Sequence, residues 1–333
     1  MAAIIPYPCS DASKLCGTAC YAIRLWYTSR NCLARPKVVE GLGGFAVTRI
    51  YQRRFRVRGY EMDAVSRVHD SVFLKYFQQA AVEASADAGY DTRRYDALGT
   101  IWVIRQQTIA YLAPLTSGDI VEVTTWVSDM RRVRSHREYE LRLVSDGNLV
   151  ATAQVDWVYI DTTTLFPRRI PVELSGAFLP NGRSALGSAP PLEPSELVEG
   201  RVFVYPHRAK SYELDNLRHV NNANHLNWLN QARLDALADV GLALNVDSGQ
   251  LYGVAAVLSP VRYEIEYFAP VMAGDTVEVV SRVVQVGATQ MTWSHQICRG
   301  DERLVEAKVT ICLRRNDGTA MAFPSTVLEA MVD

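Results

Sequence analysis

Polar side chains crowd the segment that begins at Tyr212 and reads YELDNLRHVNNANHLNWL. Seven of the ten residues from Asp215 to Asn224 are polar, whereas a helix start usually spends one or two such residues on capping. Asp215 and His219 stand four positions apart, and a carboxylate beside an imidazole is a pair that acid-base and nucleophilic catalysis use. The excess of polar groups therefore indicates chemistry in addition to capping.

The chemistry that suits this segment is attack on a polarised carbonyl group. Backbone N–H groups in the first turn of a helix are unsatisfied and together carry about half a positive charge, so they suit a developing oxyanion. We predict that the Asn222 N–H is the oxyanion donor, that Asn221 and Asn222 contact substrate, and that one of them caps the helix. Asp215, on the approach loop, would activate water or attack directly, and His219 would hydrogen-bond the carboxylate or the water.

Each of these residues also has a purely structural interpretation. Asp215 could be a turn residue, and His219 could be a loop histidine with satisfied hydrogen bonds. His225 lies on the apolar stripe of the predicted helix and is expected to be a core or pocket-lining residue. Glu266 lies between Ile265 and Tyr267 on a predicted strand and could be a solvated side chain.

Length, composition and charge set limits on the class of protein. A chain of 333 residues suggests two domains, and its 48% apolar and 21% charged residues are ordinary for a globular protein. A net charge of -1 argues against nucleic-acid binding, which needs a basic excess. No apolar run approaches the ~18 residues that cross a bilayer. We predict no nucleic-acid partner and no membrane span.

Cysteine usage is concentrated near the beginning of the sequence. Four of the six cysteines (Cys9, Cys16, Cys20 and Cys32) fall in the first 32 residues, and their spacing gives no CxxC pair. We predict reduced thiols, no metal site and no cofactor. Residues 1–44 lack helical or strand periodicity and are predicted to be a non-core leader. We expect a cytoplasmic protein, or a plastid or mitochondrial one if this leader is a transit peptide.

The remainder of the chain contains an internal repeat. YEMD at Tyr60 returns as YELD at Tyr212, and YLAPLTSGDIVEV at Tyr111 returns as YFAPVMAGDTVEV at Tyr267. LVATAQV and LVEAKV, and two Phe-Pro pairs, repeat in the same order. The repeats predict two copies of one domain, at 45–175 and 200–333, joined by a linker at 176–199 that is rich in Pro, Gly and Ser.

Each copy is predicted to hold one long helix and several strands. Apolar residues at helical spacing define one stripe in each copy, closed by Gly89 and Gly241: Phe73, Phe77, Ala80, Ala84 and Ala88, then His225, Leu229, Ala232, Ala236 and Val240. Four β-rich runs follow each helix, and a short strand precedes it. The sequence therefore predicts an α+β fold in which a mostly antiparallel sheet wraps a helix.

The pattern resembles a known family. Asp215, His219, Val220, Asn221 and Asn222 have the spacing of hotdog thioesterases, and the stretches FRVRGYE, IWVIRQQTIAYLAPLTSGDIVEVTTWV and HVNNANHLNWL are similar to acyl-acyl carrier protein thioesterases. The resemblance implies two tandem hotdog domains that form a pseudo-dimer. It also implies hydrolysis of fatty acyl thioesters of acyl carrier protein or CoA, which would be the partners, with a possible homodimer of the tandem chain.

The resemblance assigns catalytic roles to Asp215 and His219, and also to an asparagine and to a Glu-Cys pair. Here Leu217 occupies the asparagine position, next to Asn216, and the pair appears as Glu266-Tyr267. The missing cysteine argues against a thiol nucleophile. We therefore expect an aspartate-centred mechanism in which Glu266 is at most auxiliary.

The first copy keeps part of the same polar set. Asp63 matches Asp215, but Arg67 stands at the position of His219 and His69 at that of Asn221. We expect Arg67 to form a salt bridge that lowers the basicity of Asp63. Asp63 and His69 would then bind substrate or shape the acyl slot, and the second copy would perform the hydrolysis. The alternative is a second working site in the first copy.

Other functions remain open at this stage. A hotdog hydratase or dehydratase would also use an Asp and a His, but its usual signature separates them by five positions with Asn-Pro between. A non-catalytic acyl-ligand protein would keep the slot and lose the carboxylate. The absence of a GxSxG motif argues against a serine hydrolase. The basic run from Asp129 to Glu138 is either a solvated hairpin face or a surface for an acidic carrier protein or a CoA phosphate.

Overall fold

The computed structural model describes residues 49–242, 244–245, 250–251, 256–315 and 317–332. The predicted leader at 1–44 lies outside the described residues. The described structure therefore does not bear on the predicted localisation, which depends on this leader.

The first copy contains five strands and three helices. In chain order they are β1 (Tyr51–Arg56), α1 (Asp70–Asp87), α2 (Thr92–Leu98), β2 (Thr100–Tyr111), β3 (Ile120–Arg131), β4 (Arg134–Leu143), β5 (Leu149–Asp161) and α3 (Val172–Phe178). A 3-10 turn at Gly59–Glu61 leads into the loop before α1. The long helix and the four strands after it agree with the sequence prediction.

The second copy, with the predicted linker before it, repeats the order of a short strand, a long helix and four long strands, although two short strands take the place of α2. Its elements are β6 (Ser195–Leu197), β7 (Phe203–Arg208), α4 (Asn222–Asp239), β8 (Leu244–Asn245), β9 (Gln250–Leu251), β10 (Val257–Tyr267), β11 (Thr276–Gly287), β12 (Gln290–Arg299), β13 (Glu302–Arg314), β14 (Ala320–Met321) and α5 (Ser325–Met331). Further 3-10 turns lie at Leu186–Ser188 and Ser211–Glu213. The segment predicted as a linker thus carries short elements, and β6 pairs with β11.

One antiparallel sheet of 12 strands joins the two copies. The strand order is β1-β3-β4-β5-β2-β10-β13-β12-β11-β6, with β7 also on β11 and β14 on β13. The two halves meet where β2 pairs with β10, from Ala110 opposite Arg262 to Gln106 opposite Glu266. Read outward from this junction, both halves have the same order, which is the arrangement of a pseudo-dimer of two α+β units.

The two long helices lie against the inner face of this sheet. Phe73, Phe77, Ala80 and Ala84 of the predicted α1 stripe are all buried. His225, Leu229, Ala232 and Ala236 of the α4 stripe are buried as well. Burial of a side chain such as Phe77 stabilises the fold by about 1.5–3 kcal/mol. Gly89 and Gly241, both at φ +85°, follow the helices in the left-handed region that favours glycine.

No helix in the described ranges combines the length and apolarity needed to span a bilayer.

Candidate active site at the start of α4

A narrow loop brings Asp215 and His219 together immediately before α4. Leu214 and Val220 form an isolated antiparallel bridge, and the Asp215 N–H donates to the His219 carbonyl at 2.9 Å. Arg218 turns the chain with φ +66°, in the left-handed region. The loop therefore projects both side chains from one tight turn.

The Asp215 carboxylate and the His219 imidazole are in contact. Oδ2 of Asp215 lies 3.5 Å from Nδ1 of His219, and Oδ1 accepts a hydrogen bond from the Leu217 N–H at 2.9 Å. Their side chains are 13% and 29% exposed, so water can reach both groups. The sequence prediction that these two side chains lie together agrees with this geometry.

Asn221 and Asn222 have different positions at the helix start. Asn221 is the N-cap residue, whose Oδ1 accepts from the Ala223 N–H at 3.0 Å. Its amide nitrogen donates to Oε1 of Gln78 on α1 at 3.0 Å. Asn222 is the first helical residue, and its backbone N–H has no hydrogen-bond acceptor among the described residues. An unsatisfied N–H at this end of a helix can bind an oxyanion.

Residues from the sheet junction hold Asn222 in place. Its side-chain amide donates to Oε1 of Gln107 at 3.2 Å, and the Gln107 amide donates to the Tyr267 hydroxyl. The Tyr267 hydroxyl in turn donates to the Asn222 carbonyl at 3.2 Å. Burial raises the pKa of Tyr267, so the hydroxyl remains a proton donor. Tyr267, at the position of the family's cysteine, thus orients the helix start. Sequence reasoning did not find Gln107 or Gln78, because both come from the other copy.

His225 lies behind this network inside the core. Its ring packs against Trp228 and Tyr267, with centroids 5.1 and 5.5 Å away. Neither ring nitrogen makes a hydrogen bond of normal geometry in the described structure, although the carbonyls of Asn221 and Asn222 face it. Burial lowers the pKa of His225 to about 4, which keeps the ring neutral at pH 7.

Glu266 lies on the opposite face of its strand. Tyr263 and Ile265 point inward and are buried, whereas the Glu266 side chain is 43% exposed. Its carboxylate forms an ion pair with Arg105 of β2 at 2.7 Å. The structure therefore does not bring Glu266 to the Asp215–His219 pair.

The equivalent loop of the first copy differs in its contacts. Asp63 accepts hydrogen bonds from the Val65 and Arg67 N–H groups at 2.9 Å, while the Arg67 guanidinium donates to the Ser259 hydroxyl at 2.7 Å. The expected Asp63–Arg67 salt bridge is therefore wrong, because Arg67 reaches across to β10. Burial raises the pKa of Asp63 instead of the expected lowering. His69 caps α1 by accepting from the Ser71 N–H.

A pocket adjoins the Asp215 loop from the side of the first copy. This α2 pocket, of about 180 Å³, lies among α1, α2, β2 and β4. Asn216 and Leu217 of the Asp215 loop form part of its wall. Most of its remaining large side chains are aromatic: Tyr90, Tyr95, Trp102, Trp157 and Phe178. The site thus combines a polar loop of the second copy with a pocket of the first.

Bulky side chains occupy the corresponding place in the second copy. When the helices are aligned on Asp70 and Asn222, Ala81 of the α2 pocket corresponds to Arg233, which is 2% exposed. When the strands are aligned on Tyr111 and Tyr267, Arg137 corresponds to the fully buried Trp293. Two positions that line the α2 pocket in the first copy thus carry larger, buried side chains in the second.

The basic run at Asp129–Glu138 is divided between two faces of the β3–β4 hairpin. Arg131 pairs with Asp129 at 2.8 Å and is 82% exposed, and Arg134 pairs with Asp156. Arg137 instead faces inward and lines the α2 pocket.

The described residues contain no group of three or more His, Cys, Asp or Glu side chains that could hold a metal ion.

Two family models match the chain in tandem. Residues 48–178 match the acyl-ACP thioesterase N-terminal domain, and residues 210–331 match the thioesterase-like superfamily.

Curated relatives of the same description match at low identity. The chain is 24% identical over 193 residues to a chloroplastic palmitoyl-acyl carrier protein thioesterase of Gossypium hirsutum, and the alignment covers 54% of this chain and 46% of the relative. It is 25% identical over 198 residues to the chloroplastic oleoyl-acyl carrier protein thioesterase 2 of Arabidopsis thaliana, covering 54% of this chain and 53% of the relative. The chain thus matches about half the length of these relatives.

Solved structures show the same fold. A protein described as an oleoyl thioesterase from Lactobacillus plantarum aligns with a TM-score of 0.65 at 21% identity, covering 80% of this chain and 96% of that one. The 12:0-ACP thioesterase from Umbellularia californica aligns with a TM-score of 0.62 at 16% identity, covering 80% and 94%. The chain thus carries two thioesterase domains in tandem, in two hotdog units that share one sheet, and it is similar in sequence and fold to acyl-acyl carrier protein thioesterases.

Proposed function

We propose that this chain hydrolyses fatty acyl thioesters of acyl carrier protein, releasing a free fatty acid and the carrier thiol. The observation that supports this best is the position of the Asp215–His219 pair beside the α2 pocket, whose wall includes Asn216 and Leu217. An acyl chain in that pocket would place its thioester next to the carboxylate.

In the proposed mechanism Asp215 acts as a general base. It takes a proton from a water molecule, and the water oxygen attacks the thioester carbonyl carbon. The Asn222 N–H, at the positive end of the α4 dipole, stabilises the oxyanion that forms. Collapse of this intermediate breaks the C–S bond, and the proton held by Asp215 passes to the leaving sulfur, which departs as the thiol. His219, 3.5 Å from the carboxylate, orients Asp215 and the water.

The two copies have different roles in this proposal. The second supplies Asp215, His219 and Asn222, and the first supplies the pocket together with Gln78 and Gln107. The plant relatives' names support carrier protein as the thiol partner. CoA is the alternative thiol, and Glu266 takes no part because it lies on the outer face.

The test measures thiol release from long-chain acyl-carrier protein and acyl-CoA with the wild type, Asp215→Asn and Asp63→Asn. Removal of a general base should lower turnover at least about a hundredfold in Asp215→Asn. Asp63→Asn, the matched change in the first copy, should keep most of the activity.

Three results would contradict the proposal. A folded Asp215→Asn variant with near-normal turnover would remove Asp215 from the mechanism, and equal losses in both variants would indicate two working sites or a composite one. Absence of thiol release from every substrate by the wild type would refute the thioesterase function itself.

A further inference from the structure

Arg137 is an unusual residue for the wall of a pocket that would hold a hydrocarbon chain. It lies on β4 with only 7% of its surface exposed, and it lines the α2 pocket. Within the described part of the chain the guanidinium forms no ion pair. Its single recorded hydrogen bond there, from Nη1 to the Thr125 hydroxyl, is long at 3.5 Å. Its other close contact is the face of Phe178, 5.3 Å from the ring centroid.

The second buried arginine, Arg233, is connected to a carboxylate through its Nη2 atom, although its Nε and Nη1 atoms have no hydrogen-bond partner among the described residues. Arg233 donates to the Tyr263 hydroxyl at 2.6 Å and to Oδ1 of Asn230 at 3.1 Å. The Tyr263 hydroxyl donates to the Asp70 carboxylate at 2.8 Å. Arg233 is therefore connected to a carboxylate through one side chain, whereas Arg137 has no such connection. A buried charge without a partner is costly, so Arg137 has strong unused donor capacity.

Neighbouring polar groups lie on the same pocket wall. The Trp157 indole N–H is buried there, nearest the Tyr139 hydroxyl but without a hydrogen bond of normal geometry. Ser135 and Thr100 also belong to the lining, and the Thr100 hydroxyl donates to the Tyr159 hydroxyl at 2.7 Å. A purely hydrocarbon ligand would give the Arg137 guanidinium no further acceptor, whereas an oxygen atom carried by the ligand would accept from it.

We propose that the α2 pocket binds acyl chains that carry a hydrogen-bond-accepting oxygen away from the thioester, with Arg137 as the residue that binds it. This inference rests on the proposed thioesterase function and names the substrate class of that site. A carboxylate is the best acceptor, because a guanidinium can bind it through two parallel hydrogen bonds. A hydroxyl or keto oxygen can accept a single one.

The test compares matched N-acetylcysteamine thioesters at a series of even chain lengths. At each length the acyl group is plain, hydroxylated at its far end or carboxylated at its far end. We expect kcat/KM for an oxygen-bearing chain to exceed that for the plain chain at least tenfold at one or more lengths. A preference for the carboxylated over the hydroxylated series would identify the acceptor.

Arg137→Met tests the assignment to this residue, because methionine is neutral and similarly long. The variant should lose the discrimination and gain activity on plain chains. Arg131→Met, on the exposed part of the same hairpin, is the matched control and should keep the wild-type preference. Arg137→Lys keeps the charge but lacks the planar guanidinium, so it should keep part of the preference for oxygen-bearing chains. It replaces Arg137→Met in the test if that variant fails to fold.

The outcomes separate this inference from the proposed function. Hydrolysis with the plain chain preferred at every length would overturn the inference and leave the thioesterase function intact. The same holds for a folded Arg137→Met variant that discriminates as well as the wild type. Absence of hydrolysis of every thioester, with carrier-protein substrates included, would overturn the proposed function.

Discussion

The two histidines near the start of α4, His219 and His225, have different environments. His219, in the loop before α4, is partly exposed and contacts Asp215, whereas His225, six residues further along, is 4% exposed and packs against aromatic rings. Both residues are imidazoles near one helix start, so composition cannot separate them. The apolar stripe can, because it places His225 with Leu229 and Ala232 on the buried face.

His225 should make the stability of the protein depend on pH. Burial lowers its pKa from 6.5 to about 4, so between these values the unfolded chain binds a proton that the folded chain does not. Its contribution is therefore complete above pH 6.5 and is lost as the pH falls towards 4, by up to about 3 kcal/mol. Urea unfolding of the wild type and His225→Phe at pH 7 and pH 5 measures this. The variant should lose less free energy of unfolding on acidification, and equal losses would show that His225 does not carry the effect.

At the scale of elements, the two long helices and the strands after them could be predicted from the sequence. Their apolar periodicity is long, and Gly89 and Gly241 mark the helix ends. The short helices α2 and α3 were not predicted. Seven residues give too few turns for a periodic pattern, although Asp91, whose carboxylate caps α2, was a local signal.

The candidate site combines residues that are close in sequence with residues that meet only in the folded chain. Asp215, His219, Asn221 and Asn222 lie within eight residues, so the sequence shows them as one cluster. Gln78 and Gln107 join it only through the pairing of the two copies, which no local pattern encodes. The direction of the Arg67 side chain was mispredicted for the same reason, since its partner Ser259 lies 192 positions away.

Gly200, at the entry to the second copy, is packed too closely for a side chain. Its N–H donates to the Val283 carbonyl at 3.1 Å, and an added Cβ would clash with the Val283 backbone. Gly200→Ala should therefore lower the free energy of unfolding by about 1–3 kcal/mol, as overpacking does. Gly176→Ala in α3 is the matched control, because its Cβ would meet open space. Thermal unfolding compares them, and a Gly200→Ala variant as stable as the wild type would show that the β11 edge can move.

At the scale of the whole molecule, duplication has produced two helix starts whose surroundings differ. The pseudo-symmetry is still visible in the tyrosines, since Tyr111 donates to the Asp70 carbonyl at 3.1 Å as Tyr267 does to that of Asn222. The two copies have diverged at these positions, because Arg233 and Trp293 stand where Ala81 and Arg137 line the α2 pocket. This divergence agrees with an Asp-His pair in the second copy whose histidine is replaced by Arg67 in the first.

A larger side chain at one of these positions would reduce the volume of the α2 pocket. Ala81 on α1 lines the α2 pocket and is 7% exposed, at the position that Arg233 occupies on α4. Ala81→Leu should therefore reduce kcat/KM for long acyl chains and spare short ones, since each methylene in an apolar pocket is worth about 1–3 kcal/mol. Thiol release across a chain-length series measures the shift. Ala86→Leu, at an exposed position of the same helix, is the matched control and should keep the wild-type profile. A folded Ala81→Leu variant with an unchanged profile would show that the acyl chain lies elsewhere, and the proposed contribution of the first copy would then have to be assigned to Gln78 and Gln107 alone.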